Sequence, residues 1–373
     1  MATREELHST LQNFLDSTVS GGQSHPSKDE ISTAHNPRPE AFGGNNVINI
    51  GSRKSALALI QTEIVHKALL ATHPSCKYEI HAMSTMGDKN QTIPLHNFGA
   101  KALWTRELEV DLLEGRLDLI VNSLKDMPTT LPEKCTIGCI MMRADPRDAV
   151  VMKTGSKYKA LGDLPPGSVI GTSSVRRSAQ ILRNYPHLKF KDVRGNVGTR
   201  LSKLDQEDEE YACLILAAAG LQRMDLGDRI TQYLDSKTPG GGLLYAVGQG
   251  ALCIEIREGD QRISNLLETL AEKDVTLACL AERSLMRVLE GGCSVPIGVE
   301  TKWVEKGKLA MAAIVVSLDG KDSVQTEMLG EVFDEDGANE FGRTVARDLV
   351  EKGASKILKE INLNRNVKKD NGP

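Results

Sequence analysis

Val47-Ile48-Asn49-Ile50-Gly51-Ser52-Arg53-Lys54-Ser55-Ala56-Leu57-Ala58 is the stretch that decides the fold. Its first four residues have the length and composition of a buried strand, Gly51-Ser52 breaks it, and Leu57, Ile60, Ile64 and Ala68 then recur at helical spacing. Strand, tight turn and helix follow one another without a long loop. The unit recurs: Leu117 to Ser123 is a strand that stops before Pro128, and Ser168 to Gly171 is a strand feeding a helix around Ala179 to Leu182. Two further short strands, Leu188 to Phe190 and Cys213 to Leu216, end in the turns Val193-Arg194-Gly195 and Ala217-Ala218-Ala219-Gly220. Such alternation implies a largely α/β fold.

Outward from this block the chain changes character. Pro239-Gly240-Gly241-Gly242 interrupts it, and a strand Ala251 to Ile256 resumes after Gly248 and Gly250, which mark a hinge or a close backbone approach. The last third reads as α+β. A helix from Val275 to Leu289 ends at Gly291-Gly292, strands follow at Val295 to Val299, Leu309 to Val316 and Val324 to Phe333, and one final helix covers Glu340 to Ile361. The first 46 residues are polar, with three basic and six acidic side chains, and are expected to be a tail with at most one short helix capped by Thr3 and Glu6.

Composition narrows the function. The 373 residues are 40% hydrophobic and 26% charged, and no apolar run reaches the roughly 18 residues of a spanning helix. A net charge of −4 and 4% aromatics argue against a nucleic-acid binder. Between Val169 and Lys203, however, eight basic residues face Asp192 alone, a local balance of +7 that leaves −11 elsewhere. That concentration points to an anionic ligand. The seven scattered cysteines, with no secretory leader, fit reduced thiols in the cytoplasm, and neither they nor the eight histidines have zinc spacing.

Arg176 and Arg177 fall in the first turn of a helix capped by Ser173 or Ser174, where the macrodipole disfavours cations unless an anion sits there. Arg53, Arg194 and Arg223 occupy the same address just after a strand, with Arg200 on the short helix beyond Arg194. Ligands of open α/β sheets gather at these strand ends, so the six arginines are candidates to converge on one polyanion. Lys125-Asp126 lies where Leu119 to Ser123 runs out; its carboxylate is either a charge-stabilising group or half of an ordinary loop ion pair. Cys293, between two glycines and Ser294-Val295-Pro296, has the access a nucleophile or attachment point needs, in contrast to Cys135, Cys139, Cys213, Cys253 and Cys279 in apolar segments. A non-enzymatic two-lobed binding protein for a carboxylated or phosphorylated small molecule would use the same arginines and need no special Cys293.

Five segments together resemble the porphobilinogen deaminase (hydroxymethylbilane synthase) family: Ile50 to Ala58, Asn122 to Pro128, Gly171 to Arg177, Val193 to Leu201 and Glu290-Gly291-Gly292-Cys293-Ser294-Val295-Pro296. The resemblance implies a transferase of heme and porphyrin biosynthesis that condenses four porphobilinogen molecules head to tail, with loss of ammonia through a cationic azafulvene, and releases hydroxymethylbilane by hydrolysis. It implies a dipyrromethane cofactor held by a thioether to Cys293, and no metal. Asp126 would stabilise the positive charge and hydrogen-bond pyrrole nitrogens. Arg53, Arg176, Arg177, Arg194, Arg200 and Arg223 would bind the acetates and propionates, with Ser123 and Lys125 lining the cleft and Ser55, Gln61, Ser173 and the ring of Trp104 as lesser contacts.

The implied architecture has two α/β lobes like halves of a periplasmic binding protein, residues 47–143 with 244–262 and residues 144–243, and an α+β domain, 263–373, with a small antiparallel sheet that carries the cysteine. A cytoplasmic monomer with a small-molecule substrate, and without nucleic-acid or membrane partners, completes the expectation. The intact mass of the purified protein should exceed that of the 373 residues by a two-pyrrole adduct, and Cys293→Ser should lose it. An unmodified wild-type mass, before and after incubation with porphobilinogen, would leave the binding-protein alternative.

Overall fold

The computed structural model describes residues 47–85, 105–239, 242–289 and 295–370. The opening unit forms as its pattern dictates: β1 (Val47–Arg53) is buried along its interior, Ser55 caps α1 (Ala56–Thr72) by accepting Ala58 N–H, and Ile64, Val65, Ala68 and Leu69 seal the helix on the sheet. β2 (Lys77–Met83), α2 (Arg106–Leu113), β3 (Leu119–Ser123) and β4 (Cys135–Ile140) come next. The chain then crosses into a second unit of β5 (Asp148–Met152), β6 (Val169–Gly171), α3 (Val175–Asn184), β7 (Lys189–Lys191), α4 (Val197–Asp205), β8 (Tyr211–Ala217), α5 (Ala218–Arg223) and β9 (Gln232–Leu234). It returns through β10 (Leu252–Arg257) and α6 (Gln261–Leu267), whose Ile263, Leu266 and Leu267 pack into the core of the first sheet.

The two five-stranded sheets share one topology. Their orders are β2-β1-β3-β10-β4 and β7-β6-β8-β5-β9. In each, three parallel strands lie beside one antiparallel strand, β10 or β5, which in both cases is the strand the chain enters from a crossover. The parallel strands therefore end on equivalent edges of the two lobes, and the loops after them form the facing surfaces. The third unit is α7 (Lys273–Val288), the antiparallel sheet β11 (Ile297–Glu305), β12 (Lys308–Val316) and β13 (Ser323–Glu331), then α8 (Glu335–Glu351) and α9 (Ala354–Asp370). Its apolar core runs from Leu277 to Ile361 and takes in Tyr245 and Val247 from the second crossover. The α/β lobes with an α+β third unit are the expected fold class.

Where the crossovers meet, backbone touches backbone. Gly248 and Gly250 have φ of 71° and 89°, and a side chain at residue 250 would strike the Ala144 carbonyl. Ala144 N donates to Gly250 O at 3.2 Å, and Arg143 Nε donates to Gln249 O at 2.8 Å. Glu282 of α7, wholly buried, accepts Arg143 Nη1 at 2.6 Å, Thr301 Oγ1 at 2.6 Å and Gly248 N at 2.8 Å. One carboxylate thus bolts the third unit to both crossovers.

Some local expectations need correction. The single helix expected over Glu340 to Ile361 is two, because the left-handed Gly353, at φ 106°, separates α8 from α9. Ala217 to Gly220 is not a turn: Ala217 ends β8 and Ala218 starts α5, which lies against the first lobe, where a Cβ at residue 220 would be in ordinary contact with Leu57 at 3.7 Å. The five cysteines placed in apolar segments are buried and unpaired, and Cys76 is half-buried. Among the described residues no helix is long and apolar enough to cross a membrane, and no His, Cys, Asp and Glu group could hold a metal.

Glu255 is the outlier of the first core. It stands on β10 between Ile120 and Ile137, fully buried, and neither carboxylate oxygen has a hydrogen-bond partner among the described residues. Burial, reinforced by Glu109 and opposed by Arg283, pushes its carboxyl up to about 8. The folded chain thus keeps this proton up to about pH 8 while the unfolded chain releases it near 4.5, so stability falls as pH rises across that window. Glu255→Gln should flatten the slope and stabilise the protein at about pH 9 by roughly 2–4 kcal/mol relative to its effect at about pH 5; parallel urea midpoints for the two chains would refute this.

Candidate functional site

The site is assembled from the turns and short helices that succeed the parallel strands. After β3 the backbone turns through a single 3-10 turn, Leu124–Asp126, whose Leu124 is anchored in the core while Lys125 and Asp126 are half-buried at the lobe edge. Ser123 is fixed by the buried Gln61 of α1, which donates from Nε2 to Ser123 Oγ at 2.9 Å. Arg53 ends β1, half-buried, and Ser55 Oγ is committed to the cap of α1.

The opposing wall comes from the second lobe. Ser174, not Ser173, caps α3; Ser173 donates its hydroxyl to Val193 O at 2.8 Å and so joins the β6 and β7 turns. Arg200 of α4 donates from Nε to Gly195 O at 2.9 Å, beside half-buried Arg194. Arg223, at the end of α5, donates from Nη2 to Gly250 O at 2.7 Å, and its buried Nε has no partner among the described residues. Cys293 and Trp104 lie outside the described residues.

Arg176 and Arg177 hold the unexpected arrangement. Their position in a helix's first turn suggests cations that wait for an external anion; the chain supplies one itself. Arg176 Nη1 donates to Asp148 Oδ2 at 2.7 Å and to Leu244 O at 2.7 Å. Arg177 donates from Nε to Asp148 Oδ1 at 2.9 Å and from Nη1 to Ile215 O at 2.9 Å. Asp148 is fully buried, and although burial raises its carboxyl, the two guanidiniums hold it far below the usual range. Its one signal in the sequence is an acid opening the apolar run Ala149-Val150-Val151.

Six predicted residues share one field. Lys125 is pushed down to about 8, first by burial and then by Arg177 and Arg176, against the pull of Asp126 and Asp148. Arg200 is pushed down to about 10 by burial, Arg177 and Arg194, with Asp126 opposing. Burial likewise lowers Arg177, Arg194 and Arg223, the last to about 10. Lys125, Arg176, Arg177, Arg194 and Arg200 thus form one run of interacting cations, in which Asp126 acts on Lys125 and Arg200 and the buried Asp148 is the counter-charge of Arg176 and Arg177. Such a group binds polycarboxylates or phosphates strongly, and the carboxylate among them favours a cation or an N–H donor held at the same place.

The family described as porphobilinogen deaminase, dipyromethane cofactor binding domain, matches residues 48–265, and its C-terminal domain matches residues 276–351. The chain belongs to the porphobilinogen deaminase family. It is 53% identical over 333 residues to the porphobilinogen deaminase of Candida albicans, spanning 88% of this chain and 96% of the relative. The Saccharomyces cerevisiae enzyme is 51% identical, over 86% of this chain and 99% of its own length, and that of Synechococcus is 48% identical, over 84% and 96%.

The dipyrromethane cofactor of porphobilinogen deaminases fits these residues. Cations pressed together in excess of Asp126 and Asp148 suit acetate and propionate groups, and the unpartnered Arg223 Nε is a further buried donor. Because a bound carboxylate favours the charged amine, substrate affinity should weaken as pH rises through about 8, where Lys125 loses its proton. In Lys125→Arg the rise of KM between about pH 7 and about pH 9 should disappear; an identical rise in both enzymes would assign it to another group.

Proposed function

We propose that this chain condenses porphobilinogen, with Asp126 as the charge-stabilising residue and the surrounding cations as carboxylate receivers. Asp126 beside Lys125 and Arg200, which share their field with Arg177 and Arg194, is the observation that carries the reading. A cluster of cations alone would bind a polycarboxylate and do no chemistry on it. A carboxylate placed inside that cluster gives a second, opposite demand: the ligand must be anionic at its edges and electron-poor at its centre. A pyrrole bearing acetate and propionate, losing an ammonium leaving group, meets both.

When bound through Cys293, the dipyrromethane supplies the pyrrole α-carbon nucleophile for the first addition. Arg177, Arg194 and Arg200 receive carboxylates and so orient the rings, and Lys125 adds a charge that strengthens once a carboxylate is near it. Asp126 accepts hydrogen bonds from pyrrole N–H groups and stabilises the positive charge that develops as ammonia leaves, which is worth most in a site shielded from water. Ser123, held by Gln61, presents a hydroxyl beside the same turn. Arg53, at the end of the neighbouring strand β1, extends the receiving surface toward the incoming substrate. For the chain's division we propose lobes 47–143 with 244–262 and 144–243, and a third domain from 263.

Asp126→Asn keeps size and hydrogen bonding but removes the charge. It should lower kcat by about 100-fold or more while KM moves less than about threefold. Product formation at the wild-type rate by this variant would remove Asp126 from the mechanism.

A further inference from the structure

Asp148 opens β5 at the point where the first crossover enters the second lobe. While Oδ2 accepts Arg176, Oδ1 accepts both Arg177 and, at 3.0 Å, Gln249 Nε2, and Gln249 belongs to the second crossover. The same Nε2 donates to Pro146 O at 2.7 Å. That pair of acceptors fixes the amide, since turned over it would set its oxygen against two others. Gln249 Oε1 is left buried without a partner among the described residues, a strain tolerated to keep Nε2 on Asp148. Arg143 completes the joint by donating to Gln249 O.

Two guanidiniums at adjacent positions of one helical turn repel, and in a buried site that repulsion drives them apart. Asp148 holds them side by side and cancels one charge of two. Among the described residues, the bonds to Asp148, Leu244 O and Ile215 O leave part of each five-donor fork uncommitted. The remaining donors and a net positive charge suit a carboxylate that must be gripped and later released.

We propose that Asp148, held by Gln249 at the joint between the lobes, is a positioning residue for porphobilinogen condensation: it sets Arg176 and Arg177 in the orientation that receives the carboxylates of the pyrrole chain. The proposal rests on the reading of Arg177 as a carboxylate receiver. Steady-state kinetics on the full, cofactor-loaded chain test both, using Asp148→Asn, Asp148→Glu, Gln249→Met and Arg177→Ala. Asp148→Asn should raise KM about tenfold with kcat within about threefold, and Asp148→Glu should recover part of the loss. Gln249→Met, which removes only the anchoring donor, should raise KM about threefold.

A lowered melting temperature with unchanged KM in Asp148→Asn would overturn the positioning role and leave a structural one. Should that chain not fold, unchanged KM in Gln249→Met is the overturning result. If Arg177→Ala raises KM and the Asp148 and Gln249 variants do not, only this proposal falls. If Arg177→Ala also leaves KM unchanged, the carboxylate reading falls with it.

Discussion

Like charges gathered where water is scarce repel strongly, and the site of this protein is built around managing that repulsion. Burial lowers the basicity of Lys125, Arg177, Arg194 and Arg200, and neighbouring cations add to it at three of them: Arg177 and Arg176 at Lys125, Arg176 at Arg177, and Arg177 and Arg194 at Arg200. A cluster of that kind costs folding free energy before any ligand arrives. The structure offsets the cost with two carboxylates that have different fates. Asp148 is sealed in and permanently engaged with Arg176 and Arg177, so it holds the receivers; Asp126 is half-buried at the lobe edge, so it remains available to a ligand. Function depends on keeping those two roles apart.

The repeated sheet topology brings the cluster together. Arg53, Lys125 and Asp126 follow β1 and β3 in one lobe, while Arg176, Arg194 and Arg223 follow or adjoin β6, β7 and β8 in the other. Each address is ordinary for an α/β sheet, where loops at the carboxyl ends of strands carry binding groups. Only the pairing of two such edges across the crossovers turns separate loops into one site. Gly250 is required there because the crossovers run too close for a side chain, and Gly248 because its backbone is left-handed and a side chain would press on Leu124.

The parts legible in the sequence are those with local causes. The β1-α1 unit, the cap at α3, the buried thiols and the strand-end arginines each follow from spacing or from a residue's own chemistry. β2, β4, β5, β9, α2 and α6 are not legible there. β5 is buried at every position, so it lacks the alternation that marks a half-exposed strand. Asp148 and Gln249 escape the sequence for a different reason: their partners lie 28, 29 and 101 residues away, and nothing near either residue in the chain hints at them. The same distance explains why Arg176 and Arg177 look, in the sequence, like cations without a counter-charge.

The mounting of Asp126 differs from that of the arginines. Immediately after it, Pro128 O accepts Arg283 Nη2 at 2.6 Å and Met127 O accepts Arg283 Nη1 at 3.4 Å. Arg283 is buried on α7, the helix that precedes Cys293 in the chain, and Met127 packs in the core that contains Cys279 of that helix. Asp126 is thereby tied to the third domain, whereas Arg176 and Arg177 are tied to the lobe joint through Asp148. The two mounts nevertheless meet on the third unit: Glu282, the neighbour of Arg283 on α7, holds Arg143 and Gly248 of the crossovers, and Ala179 of α3 packs with Ile314 and Val316 of β12.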